Sequence, residues 1–172
     1  MSAAELQVLL DKQAIEEVVL RLARATDRSD AELTSACFDD DATLDYGYFV
    51  GSAAEFVPWV MEVLAGLEHT THTICNVLVS VSGDEAAAES GFLAHSRRDG
   101  PDGSRDSFGA GRYLDRFERR GGEWRIAHRE VVYDWNWSAP SGTDLYAVTE
   151  GLTLGRRDRA DRSYSFPEPR DA

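Results

Sequence analysis

Gly111-Arg112-Tyr113-Leu114-Asp115-Arg116-Phe117-Glu118-Arg119-Arg120-Gly121-Gly122-Glu123-Trp124-Arg125-Ile126 reads as two β-strands reversing about a tight turn. Paired glycines after Arg120 supply the positive φ angles that a short antiparallel reversal needs. The flanking residues have period two, the spacing of a strand with one buried face. This predicts a strand over 109–119, a turn at 120–122 and a further strand over 123–135. Working back toward the N-terminus, the same period places strands over 72–81 and 86–95, joined by a hairpin turn at Ser82-Gly83-Asp84. The polar, glycine-rich stretch 97–107 reads as a loop.

The first third of the chain has a different period. Ser2 and Glu5 form an S-x-x-E capping box. Leu6, Leu9, Leu10, Ile15, Val18, Val19, Leu22 and Ala25 then recur at helical spacing, with Asp11 as a possible second start. The pattern stops near Asp27-Arg28-Ser29-Asp30, and Asp30 is placed to cap a short helix reaching Phe38. Asp39-Asp40-Asp41 reads as an acidic turn and 42–50 as a strand ended by Gly51. Ser52 and Glu55 form a second capping box, which opens a helix ending near Gly66. Helices first, then a run of antiparallel strands, is an α+β pattern. Long curved strands wrapped around the helices make a cone with an internal pocket. The expected division is a domain over 1–139 and an extended C-terminal tail over 140–172, packed on the domain or on a neighbouring subunit.

Composition narrows the function. The 172 residues are 42% hydrophobic and 28% charged, which is globular rather than disordered composition. A net charge of −13 repels phosphate backbones, so no nucleic-acid partner is expected. No apolar run has membrane-spanning length and no signal peptide is visible, so the expectation is a cytoplasmic protein with no membrane association. Cys37 and Cys75 are far apart and read as reduced, inert thiols. Zinc spacings, phosphate loops, GxGxxG and GxSxG are absent, so neither a metal nor an organic cofactor is expected.

The 111–126 stretch, together with Asp11-Lys12-Gln13-Ala14-Ile15 and Ala25-Thr26-Asp27, resembles the SnoaL-like group of the NTF2-like superfamily, over about residues 5–137. The resemblance implies the α+β NTF2-like cone, a deep apolar pocket, and a homodimer or homotrimer. It is nearest to the dehydratase and dehydrochlorinase members: hexachlorocyclohexane dehydrochlorinase, bile-acid 7α-dehydratase and, more distantly, scytalone dehydratase. The first two carry an Asp late in the first long helix, a His opening the strand after the third helix, and an Arg on the last strand. The matching positions here are Asp27, His72 and Arg129. One position departs: those enzymes carry Lys or Tyr five residues before the Asp, where this chain has Leu22.

The resemblance and the residue types imply a cofactor-independent lyase or isomerase acting on a hydrophobic small molecule. A carboxylate at Asp27 accepting one ring N–H of His72 would fix the tautomer and sharpen the other nitrogen as a base. A guanidinium at Arg129 would hold developing negative charge. The bland readings are a helix-end Asp27, a satisfied pocket His72, and an ion pair between Arg129 and Asp27 or Glu130. Arg129, Val131 and Tyr133 alternate onto the face assigned to the cavity, and Leu22, Tyr46 and Tyr113 complete the expected pocket. His69 falls on the opposite strand face from His72, which argues against a shared metal. His95 has no evident partner, His128 reads as structural, and Trp135 and Trp137 as packed under the tail. Trp124, Ile126 and Val132 are placed on the outer sheet face, where oligomer contacts would cover them. Polyketide cyclase, epoxide hydrolase and a non-catalytic ligand-binding domain are the alternatives. A limonene-type epoxide hydrolase needs two acids bridged by an arginine, a set that Arg129 and Asp27 alone do not complete.

Overall fold

The computed structural model describes residues 1–165. In chain order the elements are α1 (Ala3–Asp27), α2 (Ala31–Ala36), β1 (Phe38–Asp45), β2 (Val50–Ser52), α3 (Ala53–Ala65), β3 (His69–Ser82), β4 (Glu85–Arg98), β5 (Arg105–Arg120) and β6 (Glu123–Pro140). A short 3-10 turn follows at Arg162–Tyr164. The six strands form one sheet in the order β2-β1-β6-β5-β4-β3. All its pairings are antiparallel except β1 with β6, which is parallel. The helices cover one face of this sheet, and the result is the NTF2-like α+β architecture.

Both capping boxes form as the sequence implies, at Ser2/Glu5 and Ser52/Glu55, and Asp30 caps α2 through Leu33 N–H. Helix α1 runs through Asp11 without a second start. Asp11 is buried and accepts from Trp124 Nε1 at 3.0 Å, Arg119 Nη1 at 2.8 Å and Gln7 Nε2 at 3.1 Å. Burial pushes this carboxyl's pKa up, but those donors outweigh it and hold the group below its ordinary value. Asp11 therefore stitches the helix to the β5–β6 turn rather than punctuating it. The main core beneath is built from Ile15, Val19 and Leu22 of α1, Phe56 and Leu64 of α3, and Phe117 and Ile126 of the sheet.

Three boundaries differ from the sequence reading. Asp39-Asp40-Asp41 lies inside β1, not in a turn. Phe38, Ala42 and Leu44 bury the strand, and Arg120 lies 2.7 Å from Asp41 and 3.7 Å from Asp39. The chain then reverses over Tyr46–Phe49, with Gly47 at φ +72°, so β1 and β2 are two strands where one was expected over 42–50. Strands β4 and β5 extend into the stretch expected as a loop over 97–107, because Arg97 forms a bidentate pair with Asp106 and Ser107 bonds Ser138 across to β6.

The outer-face assignment of Trp124 and Ile126 is also corrected. Pairing shifts by one residue between Arg116↔His128 and Phe117↔Ile126, a β-bulge at Ala127. The bulge lets Ile126 and Arg129, three residues apart, point to the same inner side, and Trp124 and Ile126 are buried. The exposed apolar groups of the sheet include instead Leu78, Leu93, Phe108, Trp135 and Trp137. Trp137 lies tilted against Phe108, and both late tryptophans are more than half exposed, so neither is packed under the described part of the tail. Of the expected tail over 140–172, residues 166–172 lie outside the described residues. Residues 156–164 run against the α1–α2 corner: Tyr164 donates to Asp30 Oδ2 at 2.7 Å, and Arg159 reaches Asp30 and Glu32.

Candidate active site

Between the inner face of the sheet, α1 and α3 lies a cavity of about 830 Å³. Leu22, Tyr46, Phe56, Phe92, Tyr113 and Val131 give it a mostly aromatic and aliphatic wall, and His72, Arg129 and Tyr133 also border it. Of the expected site residues only Asp27 does not line the cavity; it lies behind His72.

The Asp27–His72 contact is made by two elements ending at the same place. Asp27 is the last residue of α1, and His72 is the fourth residue of β3. Asp27 Oδ2 accepts the His72 backbone N–H at 2.9 Å, and Oδ1 pairs with ring Nδ1 at 2.7 Å. A carboxylate has no proton to give, so in the neutral imidazole paired with it Nδ1 carries the hydrogen and Nε2 is the acceptor. Both side chains are more than four-fifths shielded from solvent. This is the arrangement of an oriented base: one nitrogen held from behind, the other available toward an apolar cavity.

Arg129 faces the cavity from β6. Its charge is balanced by Asp115 on β5, neither of the partners weighed from sequence. Nε and Nη2 each donate to one Asp115 oxygen at 2.7 Å, and both side chains are almost wholly buried. The guanidinium lies over the Tyr113 ring, 4.0 Å from its centroid. Burial alone would lower the Arg129 pKa, but the Asp115 carboxylate outweighs it and raises the pKa, so the guanidinium stays charged. Tyr46 is pushed above the ordinary phenol range by burial and pulled back by Arg129 beside it. Tyr133 donates to the Tyr46 carbonyl at 3.2 Å. Burial also raises Tyr113.

Of the other histidines, His69 and His128 lie outside the cavity, while His95 also borders it. His69 is exposed, with its ring 3.9 Å from Asp144. His95, read without a partner, in fact pairs with Asp106 at 2.9 Å beside Phe108. His128 bonds Thr43 at 2.8 Å. Among the described residues no cluster of three or more His, Cys, Asp or Glu has the geometry to hold a metal. None of their helices is long and apolar enough to cross a membrane. Cys37 is buried, and burial raises its thiol pKa to about 11, so it is not a thiolate nucleophile. Cys75 is half-buried.

The family model of the SnoaL-like domain matches residues 7–130. The chain belongs to the SnoaL-like domain family. Solved structures agree at the level of fold. A type-3 hexachlorocyclohexane dehydrochlorinase from Novosphingobium barchaimii superposes with a TM-score of 0.70 at 18% identity, covering 78% of this chain and 94% of that one. A protein assigned as a scytalone dehydratase from Novosphingobium aromaticivorans gives 0.67 at 22% identity, covering 79% and 91%. A protein from Kribbella flavida gives 0.70 at 17% identity, covering 76% and 95%. No curated protein is significantly similar in sequence. At these identities the likeness establishes the SnoaL-like, NTF2-like fold and leaves the chemistry to the site itself.

Proposed function

We propose that this SnoaL-like protein is a cofactor-independent lyase or isomerase, with His72 as general base, Asp27 as its orienting carboxylate and Arg129 as the stabiliser of developing negative charge. The observation that carries this reading is the 2.7 Å Asp27–His72 contact at the edge of an apolar cavity. Holding the histidine by both its backbone N–H and its ring fixes the ring orientation that a general base needs. In an elimination, Nε2 takes the proton from carbon, the C–H electrons form the new double bond, and the leaving group departs with its bonding pair. In an isomerisation the same base forms an enolate and returns the proton elsewhere. Arg129 and Tyr46 border the same cavity and would face the negative charge that develops on either route.

The charge inventory of the cavity supports an uncharged substrate. Arg129 is neutralised by Asp115, His95 is paired with Asp106 and Asp134 with Arg112, and Asp27 adds a negative charge behind a neutral His72. A carboxylate or phosphate ligand would therefore meet no free cation there. The aromatic wall favours a flat or multi-ring apolar compound, and the assembly is proposed to be a homodimer or homotrimer. Leu22, in place of a polar donor, assigns the leaving-group side to Arg129 and Tyr46. Arg129 is bound to one carboxylate and not two, which speaks against the epoxide hydrolase arrangement.

The names of the structural relatives supply the first compounds to test: hexachlorocyclohexane, read by chloride release, and scytalone, read by dehydration. Turnover of either should fall by ~10²–10⁴-fold in His72→Ala and substantially in Asp27→Asn, which reverses the polarity of the ring contact. Undiminished turnover in His72→Ala would overturn the assignment.

A further inference from the structure

The chain beyond β6 returns to the back of the dyad. Residues 156–164 are tied to the α1–α2 corner at several separate points. Arg24 donates to Ser163 Oγ at 3.1 Å and lies over the Tyr164 ring. Arg28 pairs with the buried Asp161 at 3.4 Å. Arg159 and Tyr164 both hold Asp30. Asp161 itself accepts from the backbone of Arg156 and Ser163 and is held well below the ordinary carboxylate range by those bonds. This many anchors fix a nine-residue segment that has little apolar surface of its own.

What the segment delivers is Arg157. Its Nη2 donates to Ser29 Oγ at 2.9 Å, and its Nη1 donates to the Leu67 carbonyl. Ser29, two residues after Asp27, has a left-handed backbone with φ +51°. Leu67 lies between α3 and β3, five residues before His72. Arg157 thus bridges the two chain segments that carry the dyad. Burial lowers the pKa of its guanidinium, and the one charge opposing that effect is the Asp27 carboxylate. Its Nε is buried and has no hydrogen-bond partner.

Several other charged groups on and beside the adjoining elements are committed elsewhere. Arg24 of α1 and Arg28 just after it are turned to the tail, Asp30 caps α2, and Arg129 is bound to Asp115. Arg97 and His95 of β4 share Asp106, and His69 of β3 lies nearest Asp144. Arg98 of β4 lies against Gly66, while Glu68 accepts from Ser104.

We propose that Arg157 is a positioning residue for the His72–Asp27 pair: by clamping Ser29, two residues after Asp27, to Leu67, five residues before His72, it holds the Asp27 carboxylate in register with the imidazole. This inference concerns the geometry of the pair and stands whether or not the cavity turns over the compounds named above.

The test is the imidazole Nδ1–H resonance of His72 in ¹⁵N-histidine-labelled full-length protein, recorded with the thermal midpoint of each variant at a temperature where all are folded. Arg157→Met keeps the length of the side chain and removes both charge and donors. It should lose the hydrogen-bonded resonance through exchange with solvent. Arg157→Lys, which restores the cation, should retain it, and so should Arg159→Gln, which loosens the same segment without touching the dyad. Retention of the resonance in Arg157→Met, even with a lowered midpoint, would make Arg157 a structural tether and overturn the proposal. Loss in all three variants, or in Arg157→Lys alongside Arg157→Met, would overturn it as well.

Discussion

Replacing Asp115 by Asn changes one atom of the carboxylate and should be among the most damaging single substitutions in this protein. Asp115 accepts two charge-assisted bonds from Arg129, each 2.7 Å long, and both side chains are almost completely excluded from water. An asparagine can accept one of those bonds, and its NH₂ group then faces a second donor. The guanidinium stays buried without a counter-charge, a situation that typically costs about 3–5 kcal/mol. At roughly 2–4 °C per kcal/mol for a chain of this size, the unfolding midpoint should drop by about 6–20 °C. Urea unfolding followed by circular dichroism measures the loss directly. The double variant Asp115→Leu with Arg129→Met removes both charges and should recover most of it, because the penalty belongs to the orphaned ion and not to the lost attraction. A cost below about 1 kcal/mol for Asp115→Asn would show that water reaches the pair, and the dry, charge-balanced floor of the pocket would be wrong.

Other perturbations follow from the same physics. Gly111→Ala would place a Cβ 2.2 Å from the Val132 carbonyl oxygen and under 3 Å from the Phe92 ring, so β5 must move; an overpacking loss of about 1–3 kcal/mol in chemical denaturation is expected. Asp39 is buried, and its Oδ2 accepts no hydrogen bond among the described residues and has only a 3.7 Å ion pair with Arg120; burial outweighs that pair and raises its pKa, so the folded state is penalised once the group ionises, and Asp39→Asn should gain about 0.5–1 kcal/mol at pH 7 and lose that advantage in acid. Asp106 has the opposite sign. Arg97 and His95 hold its pKa well below the ordinary range, so its stabilisation is complete above the unfolded-state value of about 3.9 and disappears as pH falls through the folded value. The acid limb of a stability–pH profile should accordingly flatten in Asp106→Asn.

The sequence showed the elements more clearly than their faces. Capping boxes at Ser2 and Ser52, the Gly121-Gly122 turn and the switch from helical to alternating period are local signals, and local physics determined them. Asp27, His72 and Arg129 were legible only because the family pattern gave them an order along the chain; nothing in their own neighbourhoods brings a helix end to a strand 45 residues later. Asp115 lies within the 111–126 stretch, yet nothing in that stretch marks its role. Counting back from the turn without an irregularity places Asp115 opposite His128, and only the bulge at Ala127 moves it onto Arg129. The same bulge put Trp124 and Ile126 on the wrong side. Bulges are set by what two strands must bury together, which no single strand records. Arg157 was missed for a related reason: a polar tail carries no period, and its partners Ser29 and Leu67 are loop residues whose proximity is a property of the finished fold.

The most direct test of the central claim is hydrogen exchange at carbon, because it isolates the proposed base from any leaving group. An uncharged bicyclic ketone such as α-tetralone, incubated with the protein in D₂O, should take up deuterium at the carbon next to its carbonyl as His72 removes the proton and Arg129 supports the enolate oxygen. Uptake, followed by mass spectrometry, should exceed the buffer rate with the native protein. It should fall by ~10²–10⁴-fold, toward the buffer rate, in His72→Ala. Exchange that never exceeds buffer, or that continues undiminished in His72→Ala, would contradict the assignment of His72 as a general base.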